Sequence, residues 1–256
     1  MAEPVYRPVI GFARGLFRTL GLRFEISGAE HVPHSGGGVV AMNHVGYLDF
    51  ALVGYAFRPR KRLVRFMAKK EVFDHPVSGP LMRGMKHIPV DREAGAHSYR
   101  AAVDALRKGE LVGVFPEATI SQSFELKEFK SGAVRMAQEA GVPVFPAVVW
   151  GSQRIWTKGR PKDFRSRGTE IRIVLGEPYV PAGDPTVATE ELKARMGVLL
   201  EQARSTYGGK PRDDADTWWL PVSLGGTAPT LEQAEAADAR ERAERAERRR
   251  ARDASN

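Results

Sequence analysis

The sequence predicts an α/β fold in which helices flank one central sheet. Short apolar runs of the kind that form buried strands occur at residues 38–42, 111–115 and 144–149. Stretches with apolar side chains three and four positions apart indicate helices at residues 98–108, 129–140 and 186–207. With 256 residues, the chain is long enough for one large domain of this class with extensions.

The first predicted element is an amphipathic helix over residues 4–22. Its apolar residues recur at three- and four-residue spacing, and its charged residues include Arg7, Arg14 and Arg18. A basic amphipathic helix can lie in the interface of a membrane. The same apolar stripe can instead pack on the core of the protein, and the sequence leaves both possibilities open. A strand is predicted next, over residues 22–26.

A histidine and an aspartate follow the strand at 38–42 with a spacing that suits no regular element. His44 and Asp49 lie on different faces of a helix, which turns about 500° over five residues, and on opposite faces of a strand. The two side chains meet only if the backbone turns between them, where Gly46 is the permissive residue. We therefore predict that His44 lies on a loop and that Asp49 begins a helix over residues 49–57.

Together these two side chains are suited to general-base chemistry. Neutral imidazole accepts a proton near neutral pH, and a carboxylate on the other ring nitrogen orients the ring and stabilises the imidazolium. On this segment alone a structural alternative remains, in which Asp49 caps the helix and His44 belongs to the turn.

A second group of polar residues follows the predicted strand at 111–115. Glu117, Thr119 and Ser121 come just after its end, and ligands in open α/β sheets bind beyond the carboxyl ends of strands. The structural alternative is that these residues cap a following turn. The helix predicted at 129–140 places Lys130 near the same loop.

Basic residues are concentrated between the His44 segment and the Glu117 segment. Residues 57–70 contain seven basic residues and no acidic one, around a strand predicted at 63–68. Their charges form either a solvated surface or a basic rim for phosphates or anionic lipid. A further strand at 88–90 brings Arg92 beside Asp91. Arginine suits bidentate phosphate binding, and an ion pair with Asp91 is the alternative.

Four segments in a fixed order resemble the glycerophospholipid acyltransferase family, typified by the 1-acylglycerol-3-phosphate O-acyltransferases. One histidine-aspartate pair would be weak evidence, whereas four ordered segments are specific. The resemblance covers about residues 39–150. The segments are Asn43-His44-x4-Asp49, Gly84-x7-Arg92, Phe115-Pro116-Glu117-x-Thr119-x-Ser121 and Val142-Pro143-Val144-Phe145-Pro146.

The resemblance implies a mixed, largely parallel central sheet and a catalytic base, His44, paired with Asp49. It implies transfer of a fatty acyl group from acyl-CoA or acyl-carrier protein to the hydroxyl of 1-acylglycerol-3-phosphate, which gives phosphatidic acid. No cofactor or metal is implied beyond the acyl donor itself. The residues implied in binding the lysophospholipid acceptor are Arg92, Glu117, Thr119, Ser121 and Lys130.

Two positions depart from the family pattern. The third segment usually reads Phe-Pro-Glu-Gly-Thr-Arg-Ser, whereas this chain has Ala118 and Ile120 in place of the glycine and the arginine. The missing cation removes one phosphate contact, which Arg92, Lys130 or Arg135 can replace. Alternatively the acceptor differs and is glycerol-3-phosphate, another lysophospholipid or a glycolipid.

The amino-acid composition excludes cysteine chemistry and indicates which partners the protein can bind. There are no cysteines, which excludes disulfides, thiolate metal sites and thiol nucleophiles. The net charge is +8, and residues 232–256 contribute none of it because they hold seven arginines and seven acidic residues. The remaining chain is therefore basic and favours anionic partners, including membrane lipids. No nucleic-acid motif is present, so we expect no nucleic-acid partner.

No apolar run approaches the ~20 residues that span a bilayer, and arginines interrupt the apolar residues of the N-terminus. We therefore expect a peripheral protein on the cytoplasmic face of the membrane. A non-catalytic membrane-surface binding module is the rival function. A binding module has no need of a His-Asp pair, and a serine hydrolase is disfavoured because no Gly-x-Ser-x-Gly segment occurs.

The rest of the chain predicts exposed and accessory segments. Residues 151–170 are predicted to form an exposed loop, from which Ile155 and Trp156 could reach lipid. The aromatic segment 216–221 either touches membrane or clamps an extension, and residues 231–252 form a solvated helix or disorder. The predicted division is an N-terminal membrane-associating helix, an acyltransferase domain, a Trp/Gly/Pro-rich extension and a charged tail, at residues 1–22, 23–208, 209–231 and 232–256.

Overall fold

The computed structural model describes residues 3–91 and 95–254, and the chain forms two compact units. The first contains Met1–Ile120 and Glu128–Gly209, and the second contains Ser121–Lys127 and Lys210–Asn256. The second unit therefore draws a short segment out of the middle of the chain, which the sequence analysis does not anticipate.

Seven strands of the described chain form one sheet in the first unit, in the order β1-β7-β6-β2-β5-β3-β4. All neighbouring pairs are parallel except β6 and β7, which confirms the predicted mixed, largely parallel sheet. The strands are β1 Arg23–Ser27, β2 Gly38–Met42, β3 Val64–Lys69, β4 Ile88–Val90, β5 Leu111–Val114, β6 Val144–Trp150 and β7 Glu170–Leu175.

The apolar runs of the sequence become the central strands. Every residue of β2, β5 and β6 is buried, as expected for parallel strands that are covered on both faces. This explains why these strands lack alternation between polar and apolar residues, and why their positions are predictable from sequence.

Helices flank the sheet. In the first unit they are α1 Tyr6–Thr19, α2 Asp49–Ala56, α3 Lys70–Asp74, α4 Ser78–Gly84, α5 Gly95–Arg107, α6 Gly132–Ala140 and α7 Pro185–Ser205. In the second unit α8 spans Leu231–Ala254. Helix α6 begins three residues later than predicted, and α3 is not anticipated. None of the described helices combines the length and apolar composition needed to cross a bilayer.

Helix α1 packs on the core and also presents apolar side chains outward. Phe17 is buried in the main core cluster, and the Tyr6 hydroxyl donates a 2.7 Å hydrogen bond to the carbonyl oxygen of Val64. Phe12, in contrast, is 74% exposed and Leu16 is 37% exposed. The two possibilities that the sequence leaves open for this helix are therefore not exclusive.

A buried histidine lies beneath the start of α1. His87 Nδ1 accepts a 3.0 Å hydrogen bond from the Phe66 amide, and its ring lies edge-on to Tyr6 at 5.5 Å. Burial, together with the nearby charge of Arg65, lowers the pKa of His87 from 6.5 to about 4. Arg65 itself is buried and bonded to Glu3, so it belongs neither to a solvated surface nor to a basic rim.

We expect His87 to make the protein less stable in mild acid. Its folded-state pKa lies below its unfolded value, so the unfolded state binds more protons between the two values and stability falls as pH drops from about 6.5 towards 4. The loss between pH 7 and pH 5 is about 2 kcal/mol. In His87→Asn, whose amide oxygen can still accept from the Phe66 amide, the unfolding free energy should lose this part of its pH dependence. Urea unfolding at pH 7 and pH 5 measures the change in unfolding free energy of each protein. The same change in the wild type and in His87→Asn would contradict the assignment to His87.

The segment 151–170 is only in part the exposed loop that its polar composition predicts. Residues 158–168 are exposed or half-buried, whereas residues 151–157 are mostly buried. It contains a short 3₁₀ turn at Ser152–Arg154, and Ser152, Gln153 and Thr157 are buried. Ile155 belongs to the main core cluster, so the prediction that it reaches lipid is wrong. Composition misleads here because the polar side chains hydrogen-bond to distant loops.

In the second unit, the predicted tail is helical throughout its described part, as α8. Lys127 forms a buried ion pair with Asp238 of this helix. Arg212 forms a 3.0 Å ion pair with Asp216. Asp216 lies in the 3₁₀ segment Asp214–Trp219. Trp219 is fully buried, which is inconsistent with its ring touching a membrane.

Candidate active site

The candidate site lies at the carboxyl ends of two neighbouring strands. In the pairing of β2 with β5, Ala41 lies beside Val114, so the loops that follow leave the same edge of the sheet. One loop carries His44 and the other carries Glu117. This is the edge at which open α/β sheets bind their ligands.

His44 and Asp49 form a hydrogen-bonded pair. The distance between His44 Nδ1 and Asp49 Oδ2 is 3.0 Å, with the Asp49 side chain fully buried and that of His44 19% exposed. Because an ionised carboxylate only accepts, Nδ1 carries the proton and Nε2 keeps its lone pair. Within residues 3–91 and 95–254, Nε2 makes no hydrogen bond, which leaves it available to a hydroxyl.

Asp49 is held by three further donors. Its Oδ2 accepts from the backbone amides of Val45 and Gly46 at 2.7 Å each. Its Oδ1 accepts from the Ser152 hydroxyl at 2.5 Å. These bonds satisfy the buried charge and fix the carboxylate against the imidazole. Ser152 is not predicted from the sequence, because a contact between residues 103 positions apart leaves no trace in local spacing.

Gly46 is required at the turn, although for a different reason from the one predicted. Its φ is not positive, so the left-handed conformation is not the constraint. A Cβ there would lie 3.1–3.2 Å from Trp156 O, Asp49 Oδ1 and Ser152 O. The glycine therefore allows the chain to approach the 152–156 segment closely.

Further hydrogen bonds fasten the His44 loop to the neighbouring chain. The Asn43 side chain both donates to the Val149 carbonyl at 3.0 Å and accepts from the Val149 amide at 2.8 Å. The Thr157 hydroxyl donates to the Val45 carbonyl at 2.7 Å. The loop is thus fixed on both sides, as a preorganised site requires.

Glu117 connects the second loop to the first. It is buried, and its Oε1 accepts a 2.9 Å hydrogen bond from the backbone amide of His44. The ring of Phe115 stacks on the His44 imidazole with centroids 3.9 Å apart and planes 17° apart. The third segment of the family pattern therefore positions the histidine, which sequence spacing alone does not reveal.

The other residues predicted to bind the acceptor do not all lie beside His44. Thr119 is half-buried in the Glu117 loop, and the Lys130 side chain is exposed, while its amide donates to the Pro116 carbonyl at 2.9 Å. Ser121 lies in the second unit, fully buried, with its hydroxyl donating to the Glu125 carbonyl at 2.7 Å. Arg92 lies outside the described residues.

Ala118 stands where the family pattern has glycine. Its φ is +60°, a left-handed conformation that glycine adopts freely and that crowds a Cβ. The family's usual glycine suits this turn, and alanine takes the same conformation with strain. Ile120, in the place of the usual arginine, is 6% exposed.

We expect Ala118→Gly to stabilise the protein by about 0.5–1 kcal/mol. Relief of the left-handed strain exceeds the added entropy of the unfolded chain. Ala105→Gly in the regular helix α5 is the matched control and should destabilise by about 1 kcal/mol. Urea unfolding measures both changes. A loss of stability in both variants would contradict the strain at Ala118.

Apolar side chains lie exposed beside the histidine. Tyr47 and Phe50 are 41% and 38% exposed. The Tyr47 ring lies 4.7 Å from that of Trp156, and Lys162 Nζ lies 4.1 Å from the Trp156 ring centroid. The site thus combines an imidazole with apolar surface. Among the described residues, no group of three or more His, Asp or Glu side chains could hold a metal ion.

Comparison with known proteins gives consistent matches. The sequence matches the family described as Acyltransferase over residues 23–150. It is 30% identical over 182 residues to a Bacillus subtilis protein named 1-acyl-sn-glycerol-3-phosphate acyltransferase, covering 70% of this chain and 84% of that one. A chloroplastic 1-acyl-sn-glycerol-3-phosphate acyltransferase of Arabidopsis thaliana is 28% identical over 183 residues, and the match covers 49% of its length.

A solved structure has the same fold. It is the 1-acyl-sn-glycerophosphate acyltransferase PlsC from Thermotoga maritima, with a TM-score of 0.66 and 21% sequence identity. The match covers 79% of this chain and 81% of that one. At this identity the comparison supports the architecture and says nothing by itself about substrate.

Proposed function

The chain belongs to the acyltransferase family, and we propose that it transfers a fatty acyl group from a thioester to the hydroxyl of 1-acylglycerol-3-phosphate. The observation that carries this proposal is the 3.0 Å hydrogen bond between His44 Nδ1 and the buried Asp49 carboxylate, with Nε2 left available. The names of the bacterial and plant relatives support 1-acylglycerol-3-phosphate as the acceptor.

In the proposed mechanism, His44 Nε2 removes the proton of the acceptor hydroxyl as its oxygen attacks the thioester carbonyl. The Asp49 carboxylate stabilises the imidazolium that forms. When the tetrahedral intermediate collapses, the carbon–sulfur bond breaks and the thiol leaves with the proton that His44 returns. General-base assistance of this kind contributes roughly 10²–10⁴ in rate.

The substrates proposed are acyl-CoA or acyl-carrier protein as donor and a lysophospholipid as acceptor. Arg92 and Lys130 supply positive charge for the acceptor phosphate, and Glu117 and Thr119 line or shape its site. For Glu117, the hydrogen bond to the His44 amide favours action through the position of the histidine. Because Ile120 replaces the usual cation, glycerol-3-phosphate, another lysophospholipid or a glycolipid is the alternative acceptor.

The test is thiol release from palmitoyl-CoA in detergent with each acceptor in turn. We expect release that depends on 1-acylglycerol-3-phosphate and exceeds release with glycerol-3-phosphate or lysophosphatidylcholine. A preference for one of the other compounds would identify that compound as the acceptor instead. Release at the same rate without any acceptor would identify thioester hydrolysis and overturn it.

We also propose that the protein is peripheral to the cytoplasmic face of a membrane and that α1 makes the contact. Phe12 and Leu16 are the exposed apolar residues of this helix. Phe12→Ser with Leu16→Ser should weaken binding to phospholipid vesicles by about 30-fold, since about 2 kcal/mol of apolar burial is lost. Co-sedimentation measures this, with Val198→Ser, an exposed residue of α7, as the control. Unchanged sedimentation of the double variant would exclude α1 as the contact.

A further inference from the structure

A groove runs along α1 beside Arg14 and Arg18. Its volume is about 420 Å³, within the range of small-ligand sites. Helix α1 supplies one wall, and residues of β1 and α2 supply the other. The catalytic pair does not line it, and its lining residues are Gly11, Arg14, Gly15, Phe17, Arg18, Leu22, Phe24 and Tyr55.

Positive charge borders this groove. Arg14 and Arg18 are one helical turn apart and both are exposed. Within the part of the chain that the structure describes, no carboxylate lies within 4 Å of either guanidinium. A third guanidinium, that of Arg58, lies 5.9 Å from the ring centroid of Tyr55. Two or three uncompensated cations at one groove favour an anionic ligand.

The floor of the groove is aromatic. The rings of Phe17 and Phe24 are 5.5 Å apart, and Tyr55 lies 4.8 Å from Phe24 and 6.0 Å from Phe17. A free phosphate gains nothing from such a floor, whereas an acyl chain does. The groove therefore offers a charged edge and an apolar base to one ligand.

Two glycines keep the groove open. A Cβ built at Gly11 or at Gly15 would meet no atom within 4 Å. Neither glycine has a positive φ, and each costs about 1 kcal/mol of helix stability relative to alanine. Neither backbone geometry nor packing requires glycine here, and the absence of side chains leaves space beside Arg14 and Arg18.

We propose that this groove binds one anionic phospholipid molecule of the bilayer. The phosphate lies between Arg14 and Arg18, and the first part of an acyl chain lies on Phe17, Phe24 and Tyr55. The exposed Phe12 and Leu16 on the same helix place the groove at the depth of the headgroups, where arginine side chains reach phosphates. The site is separate from the acyl-transfer site and rests only on the proposed membrane contact of α1.

The test compares full-length variants on vesicles of phosphatidylcholine alone and of phosphatidylcholine mixed with phosphatidylglycerol. Gly15→Leu fills the groove without changing charge, and its higher helix propensity protects the fold. We expect it to lower the affinity for the mixed vesicles relative to phosphatidylcholine vesicles by about 10-fold. Gly15→Ala, which leaves most of the space, should bind as the wild type does.

Arginine variants separate the groove from general attraction. Arg7 lies on the same side of α1 as Arg14, is exposed and does not line the groove. Arg7→Ala should weaken mixed-vesicle binding by no more than about 5-fold, the value of one surface charge. Arg14→Ala and Arg18→Ala should each weaken it by more. Equal effects of all three substitutions would overturn the proposal.

Two further outcomes would also overturn it. If Gly15→Leu binds mixed vesicles as the wild type does, the groove holds no lipid. If glycerol-3-phosphate or inorganic phosphate competes with the mixed vesicles in the wild type and not in Gly15→Leu, the ligand is a soluble anion. Acyl transfer by Gly15→Leu with detergent-dispersed substrates should equal that of the wild type, so failure of the catalytic proposal is recognised separately.

Discussion

His44→Ala should lower kcat for acyl transfer by roughly 10²–10⁴-fold, the range for loss of a general base. In the proposed mechanism His44 Nε2 accepts the proton, because the other ring nitrogen, Nδ1, is bonded to the Asp49 carboxylate. The residual rate comes from binding and positioning, which the substitution leaves in place. Thiol release and formation of the acylated lipid are both measured, because an altered ratio would reveal hydrolysis.

The fold should survive this substitution. The His44 side chain is partly exposed, and Asp49 keeps its other three donors in the variant. The substitution removes the stacking contact with Phe115 and the hydrogen bond to Asp49, so we expect a loss of about 1–3 kcal/mol in unfolding free energy. His97→Ala, at an exposed position of α5, is the matched control and should retain full activity. A His44→Ala protein with at least half of the wild-type rate would remove His44 from the mechanism.

The second large effect is expected from Asp49, where two substitutions separate charge from shape. In Asp49→Asn, the amide oxygen can occupy the Oδ2 position and accept from His44 Nδ1, Val45 and Gly46 as the carboxylate does. The amide nitrogen then faces the Ser152 hydroxyl, which can accept as well as donate. Stability should change by about 1 kcal/mol or less, while kcat falls by about 100-fold because the imidazolium loses its counter-charge.

Asp49→Ala removes the acceptor altogether. The buried amides of Val45 and Gly46 and the Ser152 hydroxyl lose their partner, and each unsatisfied buried group costs about 1–3 kcal/mol. We expect a loss of several kcal/mol in unfolding free energy along with the loss of activity. If Asp49→Asn keeps wild-type kcat, the carboxylate is a structural cap and the proposed electrostatic role is wrong. Calorimetry and steady-state kinetics on the same preparations decide between these outcomes.

Much of the fold can be predicted from local sequence. The apolar runs of β2, β5 and β6 are continuous because these strands are buried on both faces. The predicted range of β2 agrees with the structure residue for residue, and the mixed, largely parallel arrangement is confirmed. The start of α2 at Asp49 also follows from local geometry, since no helix or strand brings this residue to His44.

Predictions that depended on composition were less successful. The polar composition of segment 151–170 predicts exposure, which is correct for residues 158–168, whereas Ser152 and Gln153 are buried. Their polar groups are satisfied by partners such as Asp49 and the Gly151 amide, and burial of a polar group depends on its partner rather than on its type. The helix α3 and the division of the chain into two units likewise arise from contacts between distant segments.

For this protein, the sequence by itself determined the strands, the amphipathic first helix and the position of the His44–Asp49 pair, because each depends on periodicity or on spacing within a few residues. The tertiary structure alone decided that Glu117 accepts from the His44 amide, that Ser152 donates to the Asp49 carboxylate and that Ala118 takes a left-handed conformation. The groove beside α1 also belongs to the tertiary structure, since it exists only where Gly11 and Gly15 come to face Phe24 and Tyr55. Hydrogen bonds and cavities join residues that the chain separates by tens of positions, and no local pattern records them.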